Sequence, residues 1–139
     1  ELDEAFPPMS VTMHIEDDFD VSRGDMIVRV NNVPRQDQDV DLMICWFNER
    51  PLQEHGKYIL RHTTREARCI IREVRYRMDV NTLHRDVASK QINMNDIARI
   101  TIRSTVPLFV DAYNKNRITG SVILIDEGTN ETVAAGMVI

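Results

Sequence analysis

Apolar and polar residues alternate with a period of two along much of the chain, and no window sustains the i, i+3, i+4, i+7 stripe of an amphipathic helix. The pattern predicts an all-β protein. Val11, Met13 and Ile15 alternate with Thr12 and His14. An acidic turn at Glu16-Asp17-Asp18 follows, and Asp20-Val21-Ser22-Arg23-Gly24-Asp25 leads into Met26-Ile27-Val28, giving strand, turn, strand. The polar stretch from Asn31 to Gln38 contains Pro34 and reads as a linker, which sets a boundary between residues 1–33 and 34–139.

Beyond it, Val40, Leu42, Ile44 and Trp46 share one face of a strand while Met43, Cys45 and Phe47 share the other, so both faces are expected to be covered. Lys57 to His62 is the next strand. Between Glu66 and Val80 the inward parity slips: Ala67, Cys69 and Ile71 hold one phase, and Val74, Tyr76, Met78 and Val80 the other. One extra residue near Arg72 and Glu73, held as a β-bulge, produces such a slip. Thr82 to Gln91 reads as a loop with a short helical turn. Ala98, Ile100 and Ile102 point inward, Pro107 ends that region, Val122 to Ile125 is apolar on both faces, and Thr132 to Ile139 closes the chain. About six strands joined by connections too short for parallel crossovers imply an antiparallel barrel or sandwich. The two-stranded opening unit buries too little to stand alone and is expected to be the end of a preceding domain.

The chain has 139 residues, 42% hydrophobic and 28% charged, with a formal net charge of -5. That is one ordinary globular domain, with no bulk attraction to nucleic acid or to anionic membranes. No apolar run reaches a bilayer's thickness, and the start Glu1-Leu2-Asp3-Glu4 lacks the basic and apolar regions of a signal peptide, so a cytoplasmic location is expected. Cys45 and Cys69 lie in apolar runs without CxxC spacing and are expected to be reduced core thiols. His14, His55, His62 and His84 form no metal-binding grouping, and the Glu16–Asp20 carboxylates lack the glycine and closing glutamate of a calcium loop.

Phosphate cradles fail one by one. Gly56-Lys57 is followed by Tyr58 where a P-loop needs Ser or Thr, and Pro51 stands where its first glycine belongs. GxGxxG and GxSxG are missing, and Asn114-Lys115-Asn116-Arg117 puts an arginine where guanine recognition needs a carboxylate. No catalytic, cofactor-binding or metal-ligating residue is therefore assigned. The arginines at 61, 65, 68, 72, 75 and 77 are the one stretch where a functional reading competes, with Arg61, Arg65 and Arg68 as a candidate anion or partner surface. Glu66, Glu73 and Asp79 interleave with them, and paired surface charges explain the pattern equally well.

Three segments carry a resemblance. Asp20-Val21-Ser22-Arg23-Gly24-Asp25-Met26-Ile27-Val28, together with Ala112 to Asp126 and Thr129 to Met137, resembles the large, GTP-binding subunit of bacterial sulfate adenylyltransferase. The resemblance implies that residues 1–33 end that family's second β-barrel domain. It also implies that the rest is its third, an elongation-factor-Tu-like six-stranded Greek-key barrel. The turn residues Tyr113, Asn114, Asn116, Thr119 and Gly120 then form a family signature and a candidate contact with the GTPase domain. Asn114, Asn116 and Gly120 suit positive φ, and the Tyr113 hydroxyl suits a turn carbonyl. Where the family has Asn-Pro before Thr-Gly, Arg117 follows Asn116 here.

The resemblance further implies a parent enzyme that makes adenylyl sulfate and pyrophosphate from ATP and sulfate, driven by GTP hydrolysis. GTP and magnesium belong to an N-terminal domain outside this sequence, and a small subunit transfers the adenylyl group. The alternative is an RNA-contacting barrel of a translation-factor GTPase, which shares the fold and would use the arginine stretch.

Overall fold

The computed structural model describes residues 2–139; Glu1, the first of the acidic opening residues, lies outside them. Seven strands follow in order: β1 (Arg35–Trp46), β2 (Lys57–His62), β3 (Arg65–Met78), β4 (Arg85–Asp86), β5 (Ile97–Val110), β6 (Ser121–Asp126) and β7 (Thr132–Val138). There is no helix among the described residues. The sheet runs β2-β6-β7-β1-β5-β3, and a further β2–β3 pairing closes it into a six-stranded ring with β4 appended to β3. Every pairing is antiparallel. Closure leaves the six ring strands without a free edge on which another chain could add.

The period-two pattern turns one side chain of each pair into the barrel. Val40, Leu42, Ile44 and Trp46 of β1 pack against Leu60, Ile71, Val74, Ile100, Ile102, Leu124 and Val138, all buried. Leu52 and Ile92, joined by an isolated bridge, plug the end where Trp46 meets Tyr58 edge to face at 5.7 Å. The parity slip in β3 is present: its register against β5 shifts between Ile71 and Glu73, and again between Val74 and Tyr76. Ile71 and Val74 consequently both face inward.

Other expectations are corrected. Residues 2–34 form no strand, and Val11, Met13, Ile15, Ile27 and Val28 are exposed. Two short candidate strands have no third strand here to bury their apolar faces, and a lone pair is too weak to hold. The supposed linker is shorter than expected, because Arg35 to Gln38 already pair in β1, Arg35 opposite Val110. Pro107 does not end β5, which runs on to the buried Leu108 and Val110. The proline falls where the β1–β5 register jumps from Asp39–Arg103 to Asp37–Leu108, a gap in the ladder that needs no N–H from it.

The outer face of β1 is only partly covered, leaving Cys45 half-buried and Phe47 exposed, whereas Cys69 is buried in the core. Ile123 on β6 is likewise half-buried on the outside. β3 stops at Met78 and Val80 is exposed, because the chain turns at Asp79. There the Leu83 N–H donates to the Asp79 carbonyl over 2.7 Å, a single helix-like turn that begins earlier than the sequence suggested.

Candidate functional site

The segment between β5 and β6 folds as a tight turn held by its own polar groups. Lys115 and Asn116 N–H both donate to the Ala112 carbonyl, at 2.9 and 3.1 Å, and Gly120 N–H donates to Asn116 O at 2.8 Å. Asn116 Oδ1 accepts from Ile118 N–H at 3.0 Å, an asparagine-specific turn contact. Asp111 ties the two ends together, accepting from Lys115 Nζ and the Thr119 hydroxyl, each at 2.9 Å. Burial by itself raises this carboxyl's pKa, but the hydrogen bond from Lys115, the largest influence, and that from Thr119 hold it below the ordinary aspartate value.

The glycine at 120 is required for space rather than for φ. A Cβ there would sit 2.5 Å from Tyr113 Cα and 2.7 Å from Asn116 O, both backbone. Positive φ belongs instead to His55, Thr63, Leu83, Asn95, Asn130 and Gly24. The expectation of positive φ at Asn114, Asn116 and Gly120 is thus corrected, because hydrogen bonds and close approach shape this turn within the ordinary φ region. Tyr113 anchors through its backbone: its N–H donates to Val138 O at 2.9 Å, and its ring carries the Arg117 guanidinium at 6.0 Å. Arg117, the departure from the family pattern, is therefore seated within the turn.

Arg65, the first residue of β3, gathers the opening segment onto the barrel. Its Nε donates to Gly24 O (3.2 Å), its Nη1 to Pro107 O (3.3 Å), its Nη2 pairs with Asp25 Oδ1 (3.1 Å), and its guanidinium lies 5.6 Å from the Phe109 ring centre. Gly24 is buried, with φ +100°, and a Cβ on it would meet Arg65 Nε at 2.9 Å, so both its conformation and its contact demand glycine. Asp25 Oδ2 accepts from Ser22 N–H (2.9 Å), and Arg23 Nε donates to Thr64 O (3.3 Å).

Three residues before Arg65, the buried His62 places Nε2 2.7 Å from Thr119 O. Burial, the larger influence, and the Arg65 charge press the His62 pKa below its ordinary value against the opposing pull of the Thr119 carbonyl. The hairpin between β2 and β3 thus joins two of the segments that carry the family resemblance, Ser22–Asp25 through Arg65 and Asp111–Gly120 through His62.

Each arginine of the basic stretch has a carboxylate partner: Arg61 with Glu66, Arg68 with Glu127 (3.2 Å), Arg72 with Asp39 (3.2 Å), Arg75 with Asp41 (3.4 Å) and Arg77 with Asp86 (3.3 Å), besides Arg65 with Asp25. The structure therefore separates the three candidates. Arg65 belongs to the junction, while Arg61 and Arg68 lie on the outer wall in exposed pairs. Cys69 is the core thiol, its pKa pushed up to about 12 by burial. Among the described residues no group of three or more His, Cys, Asp or Glu is placed to hold a metal. Among the described residues there is no helix long and apolar enough to cross a membrane. The sequence reading missed His62 and Asp111 as organisers. A histidine on the inward parity of Tyr58 and Leu60 was the available signal for the first, and the Asp111–Lys115 spacing for the second.

Residues 39–139 match the family model described as GTP-eEF1A C-terminal domain-like. The chain is 50% identical over 137 residues, 98% of its length, to the "Bifunctional enzyme CysN/CysC" of Mycobacterium tuberculosis, covering 22% of that protein. It is 43% identical over 140 residues to "Sulfate adenylyltransferase subunit 1" of Bacteroides fragilis, covering 29% of it. It spans under a third of the length of these curated relatives. Among solved structures, sup35 complexed with GDP shares the fold at a TM-score of 0.70 and 14% identity, over 79% of this chain and 27% of that one. The closed antiparallel ring and this match agree: the chain belongs to the GTP-eEF1A C-terminal domain-like family.

Proposed function

We propose that this chain is the C-terminal barrel, with the end of the preceding β-barrel domain (residues 1–33), of the GTP-binding subunit of a sulfate adenylyltransferase. The observation that carries the reading is near-complete alignment, at 43% identity with a protein named sulfate adenylyltransferase subunit 1 and at 50% with one named CysN/CysC, against 14% with the sup35 structure, which shares only the fold. The RNA-contacting alternative loses its support with the arginine stretch, whose charges are neutralised pair by pair at a net chain charge of -5.

In this reading the parent converts ATP and sulfate to adenylyl sulfate and pyrophosphate in the cytoplasm. GTP and magnesium are bound by an N-terminal domain, and a small subunit transfers the adenylyl group. The barrel contributes no reacting group. It holds its neighbours in place: the Arg65–Gly24 junction fixes the preceding domain on the β2–β3 hairpin, and the Tyr113–Gly120 turn beside it is the surface offered to the GTPase domain.

The test is to express the complete subunit with its small subunit, with and without residues 34–139, and to follow sulfate-dependent pyrophosphate release with GTP present. The reading requires activity in the intact assembly that falls at least tenfold without the barrel. Full activity without the barrel contradicts the role, and tight tRNA binding with a steep salt dependence would restore the translation-factor reading.

A further inference from the structure

The β2–β3 hairpin turns through Thr63 and Thr64, just beyond its last ladder pair, His62 opposite Arg65. The favoured two-residue loops need positive φ at their first residue, a place for glycine, asparagine or aspartate. Thr63 occupies it at φ 52°, and it is the one β-branched residue among those described with positive φ. A β-branched side chain resists that conformation, which persists only where the surroundings enforce it. Packing does not enforce it here, since Thr63 and Thr64 are both exposed.

The two sides of the turn do. Before it, the buried His62 holds Nε2 2.7 Å from Thr119 O, and the Thr63 hydroxyl donates back to His62 O at 2.6 Å. After it, Thr64 O accepts from Arg23 Nε at 3.3 Å, and Arg65 is fixed by Gly24 O at 3.2 Å and Asp25 Oδ1 at 3.1 Å. The opening segment therefore pins one side of a strained residue, and the Asp111–Gly120 turn pins the other. Thr119 is itself built into that turn, because its hydroxyl donates to Asp111 Oδ2 at 2.9 Å and the adjacent Gly120 has no room for a Cβ. Releasing Thr64 and Arg65 lets Thr63 leave positive φ. A backbone rotation there, next to His62, moves the imidazole off the Thr119 carbonyl.

We propose that the Thr63–Thr64 turn is a strained connector through which the hold of the opening segment on Arg65 sets the Asp111–Gly120 turn, with His62 as the positioning residue at its far end. The connector is a property of this chain; that the turn it sets meets a GTPase domain rests on the function proposed above. Arg65 also reaches Pro107 O and the Phe109 ring, a second route to Asp111 along β5, so the probe must act on the opening segment rather than on Arg65 itself.

Hydrogen exchange of the complete subunit, followed by mass spectrometry, reads the turn at the Lys115, Asn116 and Gly120 amides, which are all bonded within it. Gly24→Ala puts a Cβ 2.9 Å from Arg65 Nε on a backbone at φ +100°, and so loosens the hold without touching β5. Exchange over residues 113–120 is expected to rise at least fivefold. Adding Thr63→Gly removes the strain that drives the release and is expected to bring exchange back within twofold of wild type. General loosening does not give that rescue, because glycine adds backbone freedom. Should Gly24→Ala disturb folding, the exposed change Asp25→Ala is expected to raise exchange threefold or more, again reversed by Thr63→Gly, while Arg68→Ala on the outer wall leaves it within twofold. If exchange stays within twofold after both opening-segment changes, the two segments are not coupled. If Thr63→Gly fails to lower the raised exchange, the coupling does not run through the strained turn. Either result overturns the inference. Sulfate-dependent pyrophosphate release tests the functional reading separately, and its failure leaves the exchange result standing.

Discussion

The two outer walls of the barrel share β1 yet satisfy themselves in opposite ways. Toward β5 and β3, Asp41 accepts from Arg99 and from the Thr101 hydroxyl at 2.7 Å each and faces Arg75 at 3.4 Å, while Asp39 holds Arg103 at 2.7 Å and Arg72 at 3.2 Å. Toward β7 and β6, the next outward positions of the same strand, Met43 and Cys45, meet Met137 and Ala135 and stop there, half-covered. The charged wall finds its charge partners within the chain, although the buried Arg99 Nε in it lacks a hydrogen-bond partner among the described residues. The apolar wall does not, since side chains without hydrogen-bonding groups gain only from being covered. A single alternating strand can thus build a finished surface on one flank and an unfinished one on the other, depending on which neighbour it pairs with.

Changes beneath both walls are expected to cost most, because the core does not distinguish between them. Gly120→Ala forces a Cβ against the backbone of Tyr113 and Asn116 and should cost about 3–5 kcal/mol, near the top of single-site effects. Val122→Asp buries an unpaired carboxylate under the apolar wall and should cost a comparable several kcal/mol, read by urea denaturation. The walls separate next. Asp41→Ala strands Arg99 and Thr101 and is expected to cost about 1–3 kcal/mol, whereas Met137→Ser on the other wall should stay within about 0.5 kcal/mol in the absence of a partner.

Acid separates them further. Burial alone raises the Asp41 pKa, but the hydrogen bonds from Thr101 and Arg99 and the charges of Arg75 and Arg99 outweigh it and hold the group below 3.8. The stability that Asp41 contributes is therefore present above pH 3.8 and is lost as pH falls through the depressed value; the apolar pairs Met43–Met137 and Cys45–Ala135 contain no carboxylate. His62 acts earlier. Its pKa lies below 6.5 in the fold, so the unfolded chain binds the proton first, and stability declines as pH drops below 6.5 toward the folded value. Replacing His62 with Phe should flatten that limb of the stability profile; an unchanged slope would mean another group carries it.

Legibility followed the same physics. The ring strands, their antiparallel sense and the slip near Glu73 could be read because parity records which side chain points inward, and Ile71 and Val74 cannot both do so without an inserted residue. The opening strand pair, Val11–Ile15 with Met26–Val28, could not be read correctly, because alternation reports a face that wants burial and not whether a third strand exists to bury it. At Gly120 the glycine signalled a special backbone site but not which kind, and close approach rather than φ was the cause. The Arg65–Gly24 contact was invisible for a further reason: it joins residues 41 apart, and a charge run in sequence does not say which carboxylate or carbonyl each arginine meets.

Methionine footprinting tests the contrast between the walls most directly, because oxidation reports solvent access at Met137 in the unmodified protein. Each methionine is followed by mass spectrometry as oxidant is added to the folded protein. The expected result is oxidation of Met137, 41% exposed, within about threefold of the loop residue Met94, 49% exposed. Oxidation of Met137 roughly tenfold or more slower than that of Met94 would mean that the apolar wall is covered and would contradict the account.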